Sequence, residues 1–107
     1  MRVDLQQLEF IDPLLRELMA WAETLFVDEP VITSLYRIGD GGVHGQLPLR
    51  GIDIRCRDSE LGFDIEREVN AKWAYDPSRP GMKCCMFHDV GQGEHLHFQV
   101  HPNTRKR

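Results

Sequence analysis

Hydrophobic and polar positions repeat along this chain with two different periods, and each change of period marks an element. From Leu14 to Phe26 the period is helical, with Leu14, Leu18, Ala22 and Leu25 on one stripe and Leu15, Met19 and Phe26 beside it. Asp12 can accept from the first free amides and Pro13 presets φ, so the pair predicts where this helix starts. Upstream, Leu5, Leu8 and Ile11 predict an extra helical turn or two between Val3 and Ile11. Val31-Ile32-Thr33-Ser34-Leu35-Tyr36 is short and rich in β-branched and aromatic residues, which predicts a strand, and Gly39-Asp40-Gly41-Gly42 predicts a loop. Between Gly51 and Arg57 the period falls to two. Ile52 and Ile54 alternate with Asp53 and Arg55, giving a strand with one apolar and one polar face. The helical period returns after Asp58 or Ser59, either of which can cap, and runs to about Trp73 through Leu61, Ile65 and Val69. Asp76-Pro77-Ser78-Arg79-Pro80-Gly81 predicts a loop. Two strands then follow, about Lys83 to His88 and Glu94 to His101, joined through Asp89-Val90-Gly91-Gln92-Gly93, whose glycines suit a hairpin. This order predicts an α+β fold, a mostly antiparallel sheet with helices packed on it.

Composition keeps the picture to one globular domain over residues 1–107, because no linker, repeat or abrupt shift divides the 107 residues and 41% are hydrophobic. A domain of this length buries roughly two thirds of its unfolded surface, so a ligand held only by the native state adds useful stability. A net charge of -4 weighs against a nucleic-acid partner. The one basic run, Thr104-Arg105-Lys106-Arg107, reads as a solvated tail. Cys56, Cys84 and Cys85 make an odd count, and adjacent Cys84 and Cys85 point to opposite faces of a strand, so they read as small buried apolar residues rather than a disulfide framework. Met1-Arg2-Val3-Asp4-Leu5-Gln6 lacks the apolar stretch of a signal peptide, and no segment approaches membrane-spanning length. The expectation is a protein made in the cytoplasm, without an export signal or a membrane partner.

The candidate chemistry is a set of histidines and carboxylates. His95 and His97 lie two apart on the last predicted strand and so project to the same face. Asp53 on the polar face of an earlier strand, His44 in the glycine-rich loop before it and Glu94 beside the histidine pair add nitrogen and oxygen donors. Zinc held by three protein side chains keeps its fourth position for water, whereas a closed structural site would recruit cysteine, and Cys84 and Cys85 lack C-x-x-C spacing. The set fits a hydrolytic metal. His88 and His101 have no partner at telling spacing and read as structural. Trp21, Trp73 and Phe98 read as core, and Tyr36 as either core or cleft.

Three segments in order resemble the zinc D-Ala-D-Ala carboxypeptidases and the L-alanyl-D-glutamate endopeptidases of phage and bacterial cell-wall lysis, whose fold is shared with the Hedgehog signalling domain. Val31-Ile32-Thr33-Ser34-Leu35-Tyr36-Arg37 is similar to that family's strand ending in Ser-x-x-Arg. His44 through Asp53 is similar to its His...Gly-x-x-Asp metal segment, and Glu94-His95-Leu96-His97 to its closing Glu-x-x-His. The resemblance spans about Val31 to His101, and the preceding helix also matches. It departs in one place. Eight residues separate His44 from Asp53 where the family commonly has six, and Leu49 stands where a glycine is usual, although Gly51 keeps the small position; a two-residue insertion at Leu47-Pro48 accounts for the difference.

The resemblance implies a Hedgehog/DD-peptidase fold and a zinc metallopeptidase that hydrolyses peptidoglycan peptides. His44, Asp53 and His97 would hold Zn2+, with Glu94 as general acid/base. Arg37 would bind a substrate carboxylate or the oxyanion, and His95 would contact the oxyanion, orient substrate or support a ligand; Arg37, Tyr36 and His95 would form the substrate-binding set. As bland readings, Glu94 is a surface hairpin acid and Arg37 a solvent-facing ion-pair partner. A small chain without a signal or wall-binding segment suits a phage, endolysin-like protein that reaches the wall through a holin or within the virion. The alternative function keeps the metal and loses catalysis: a virion, assembly or host-interaction module on the same fold.

Overall fold

The computed structural model describes residues 3–89 and 93–107. Val90, Gly91 and Gln92 of the expected hairpin connection, and Met1 and Arg2, lie outside them. Asp12 caps the first helix, its carboxylate accepting from the Leu14 N–H at 2.8 Å, and Pro13 takes the first helical position. Helix α1 spans Pro13–Ala22 and buries Leu15, Leu18, Met19 and Ala22. The expected continuation to Phe26 tightens instead into a 3-10 turn, Glu23–Leu25. Upstream, a single 3-10 turn at Leu5–Gln7 is capped by Asp4. Asp58 caps helix α2, Ser59–Lys72, by accepting from the Leu61 N–H at 3.1 Å, and Ile65 and Val69 face the core.

The strands, in chain order, are β1 Ile32–Ser34, β2 Gly51–Arg55, β3 Trp73–Ala74, β4 Cys85–Asp89, β5 Glu94–Gln99 and β6 Arg105–Lys106. Four of them form one sheet in the order β1-β2-β5-β4, each neighbouring pair antiparallel. Register sorts the side chains into two layers. Ile52 lies opposite Phe98 and Ile54 opposite Leu96, all four buried, while Asp53 lies opposite His97 and His88 opposite His95 on the other face. Both helices contribute to the core on the apolar face, where Leu15, Leu18, Ile65 and Val69 pack with Ile52, Ile54, Leu96 and Phe98. Gly62 lets α2 approach β4, because a Cβ there would stand 2.4 Å from the Phe87 ring. Asn70 ties the same helix to β4, its amide donating to Cys85 O at 2.8 Å and its carbonyl accepting from the Cys84 and Cys85 N–H groups.

Two expectations need correcting. The strand expected over Val31–Tyr36 is only Ile32–Ser34, and its register shifts between Ile32, opposite Ile54, and Ser34, opposite Asp53. The C-terminal basic run is not a free tail. Its residues Arg105 and Lys106 pair with Ala74 and Trp73, the Arg107 N–H reaches Lys72 O at 2.8 Å, and Lys106 meets Glu17, although the three basic side chains stay exposed. Trp73 therefore leaves the helix to start β3, still buried and edge-on to Trp21 at 5.1 Å. All three cysteines are free and buried, as expected, and burial pushes the Cys84 thiol up to about 11 and raises Cys56 and Cys85 as well. Among the described residues no helix is long and apolar enough to cross a membrane.

Candidate metal centre

The centre forms where the loop between β1 and β2 folds back over the polar face of the sheet. The Arg37 N–H donates to His44 O at 2.6 Å and the Arg50 N–H to Val43 O at 3.4 Å, so the loop is stitched to itself above β2. At its far end Leu49 bridges to the chain before α1, accepting from the Asp12 N–H at 2.8 Å and donating to Phe10 O at 2.7 Å. Gly51 makes the seating possible. A Cβ at this position would stand 2.4 Å from Val43 Cγ2 and 3.4 Å from His44 Nε2. The loop histidine is thereby buried to 3% exposure.

His44, Asp53 and His97 come together here, each offering one ligand atom, all within 4.8 Å of one another. Asp53 and His97 are cross-strand partners, and His97 Nδ1 lies 2.7 Å from Asp53 Oδ1. His44 Nε2 lies 3.3 Å from the same oxygen, with the two imidazole centroids 5.3 Å apart. The outward nitrogens decide the tautomers. His44 Nδ1 is 2.6 Å from the Leu35 carbonyl, which can only accept, so Nδ1 carries the hydrogen. His97 Nε2 is 3.0 Å from Gln99 Oε1, and Gln99 is oriented by its own amide N–H donating to Lys83 O at 2.8 Å, so Nε2 of His97 carries the hydrogen. Both neutral rings then aim lone pairs at a carboxylate oxygen. Three acceptors this close require positive charge among them, either extra protons on the rings or a cation. His44 Nε2 is also buried without a hydrogen-bond partner. Burial raises the Asp53 pKa, but when the two rings carry the extra protons their hydrogen bonds and charge outweigh it, holding the carboxyl well below the usual range. The group can hold a metal ion, and its two imidazoles already have the outward partners that orient metal-ligating histidines.

Other expected site residues stand at graded distances. Arg37 Nη2 is 3.8 Å from Asp53 Oδ2 and its Nε 3.5 Å from Asp40 Oδ2, so the guanidinium borders the centre while remaining half exposed. His95 shares the face of His97 and its Nδ1 donates to Gly93 O at 3.0 Å. Tyr36 is exposed and forms no part of the core. Glu94 is exposed at the start of β5, opposite Asp89 in register. Strand alternation puts it in phase with Leu96 and Phe98 rather than with His97, and it lines one groove together with Asp53 and His95.

Two residues not expected at the site belong to this face. Gln99, two after His97, supplies the oxygen that orients its ring. His88, expected to be structural, stacks obliquely on His95 at 4.7 Å and lies 6.2 Å from His97, completing a row of imidazoles. Burial, then the charges of His95 and His97, lower its pKa and favour the neutral ring. Alternation of Met86 and His88 against Cys85 and Phe87 is the signal that could have found it, once hairpin register is known. His101 lies away from this face, 5.5 Å from the Tyr75 ring and 4.0 Å from Asp76. No family model, curated protein or solved structure matches the chain, so the chemistry of the site rests on its own geometry.

Proposed function

We propose that this chain is a zinc-dependent metallopeptidase of the Hedgehog/DD-peptidase kind, acting on peptidoglycan peptides. The observation that carries the metal is the convergence of two lone-pair-bearing imidazole nitrogens on Asp53 Oδ1, with both outward N–H groups committed to oxygen acceptors. Two imidazoles and a carboxylate suit zinc, and three protein ligands leave a position open for water or substrate. Bound zinc would supply a polarising Lewis acid and lower the pKa of a coordinated water. His44, Asp53 and His97 would hold it, with Leu35 O and Gln99 fixing the two rings. Arg37, bordering Asp53, would bind a substrate carboxylate or the developing oxyanion, with exposed Tyr36 beside it on the chain. His95 would orient substrate from the same strand face. Glu94 would move the proton from the groove. The substrate class rests on the similarity of the three segments Val31–Arg37, His44–Asp53 and Glu94–His97, supported by their placement around one centre.

One observation favours a second reading. Glu94 lies out of phase with the ligand-bearing face of β5, which suits a metal-holding virion, assembly or host-interaction module that performs no hydrolysis. Metal analysis and digestion of purified peptidoglycan separate the two. The peptidase takes up about one zinc per chain, releases peptides or D-alanine detected by mass spectrometry, and loses turnover but not zinc in Glu94→Gln. Zinc uptake with no release leaves the scaffold reading. Failure to take up zinc removes both.

A further inference from the structure

We infer that the groove beside the metal centre is a subsite for an oxyanion of the substrate, a carboxylate in the case of a peptide, gripped by Arg55 and Arg57. The inference rests on the metal-centre reading above and extends it to substrate charge. A pocket of about 90 Å3 runs from Asp53 along β2 to both arginines, with the hydroxyl residues Thr33 and Ser34 on one wall and His95 on the other. That volume is ample for a carboxylate, since a single water needs only about 10–15 Å3 of such space.

The charge pattern points the same way. Arg37, Arg67 and Arg79 each have a carboxylate within 4.0 Å, whereas neither Arg55 nor Arg57 has one among the described residues. Both guanidiniums line one groove, and their planar donor sets match a carboxylate or phosphoryl group. The pocket's own acids are Asp53 and Glu94. With a divalent ion on Asp53 the lining carries net positive charge, so an anion is favoured in the metal-loaded protein. Arg55 follows Asp53 by one same-face strand step, about 7 Å. A group seated on Arg55 therefore lies about one substrate residue from the metal, at a position distinct from Arg37.

The test uses zinc-loaded full-length protein and hydroxamates, which anchor on zinc without needing turnover. Three arms of equal length are compared by calorimetry: a terminal carboxylate (succinic monohydroxamate), its terminal amide and a terminal phosphonate. The carboxylate arm is expected to bind at least tenfold more tightly than the amide. Arg55→Gln/Arg57→Gln is expected to abolish that gain while leaving amide-arm affinity and zinc content unchanged; the single variants Arg55→Gln and Arg57→Gln serve if the double variant folds poorly. Equal affinity for carboxylate and amide arms in the wild type, or a gain that survives in the variants, overturns the subsite while leaving the metal centre intact. A phosphonate preferred over the carboxylate by more than tenfold overturns the peptide assignment. If acetohydroxamate, which has no arm, fails to bind the zinc-loaded protein, the centre has no open position and the metallopeptidase reading fails with the subsite.

Discussion

A neutral imidazole offers one acceptor nitrogen, and the partner of its other nitrogen decides which one. At His97 that partner is Gln99, itself locked by Lys83 O, so the ligand geometry depends on a residue that would never touch the metal. Gln99→Leu should weaken zinc binding about 10–100-fold, the usual effect of removing such an orienting partner. His97→Ala should abolish high-affinity binding, and competition against a chromophoric chelator reads both; unchanged affinity in Gln99→Leu would exclude the orienting role. A second residue acts through protons alone. Asp76 accepts from Ser78 Oγ at 2.7 Å, Ser78 N at 3.0 Å and Arg79 Nε at 3.0 Å, and these bonds, Ser78 first, hold its carboxyl well below the usual range. Because the folded pKa is depressed, its contribution is complete above the unfolded value, about 4, and is lost as pH falls below it. The difference in melting temperature between wild type and Asp76→Asn should therefore be largest near pH 6–7 and shrink towards pH 3. A pH-independent difference would assign Asp76 no proton-linked role.

At the scale of elements, the loop from Leu35 to Arg50 matters more than any strand, since it delivers His44 across the face on which Asp53 and His97 lie. Its seat is Gly51. In Gly51→Ala the new methyl would overlap Val43 Cγ2, which is 2.4 Å away, and press on His44. The loop must lift, so zinc affinity should drop at least about tenfold, while far-UV circular dichroism stays native because the paired strands remain. Unchanged affinity would show that the loop seats without this close approach. Helix starts were legible in the sequence because Asp12, Pro13 and Asp58 act locally, the two aspartates through their own side chains on nearby amides. The short β3–β6 ribbon was not. Two-residue strands carry no periodicity, and Arg105-Lys106 pairs with Trp73-Ala74 only because the core brings the two together.

For the molecule as a whole, the metal centre and the core occupy opposite faces of one four-stranded sheet, so a ligand at the centre reinforces register set by packing on the other side. Zinc at a hundredfold its Kd should stabilise the fold by about 2.7 kcal/mol, which for a domain of this size raises Tm by roughly 10–20 °C. Calorimetry with and without chelator checks this, and a Tm indifferent to zinc would mean that the ion does not bind the native state selectively.

The sequence by itself determined the local features: the period of each element, the caps that start both helices, the burial of three unpaired cysteines, and the polar face carrying Asp53, His95 and His97. These follow from neighbours a few residues apart. Tertiary structure alone decided which polar residues meet. Strand pairing sets Asp53 against His97 and His88 against His95, the missing side chain of Gly51 lets His44 lie over both β2 and β5, and the alternation that groups the histidines leaves Glu94 out of phase with them at the exposed start of β5, where it lines the groove beside Asp53. Spacing along the chain does not set such encounters, because they depend on register and close approach between distant segments, Asp53 and His97 being 44 residues apart.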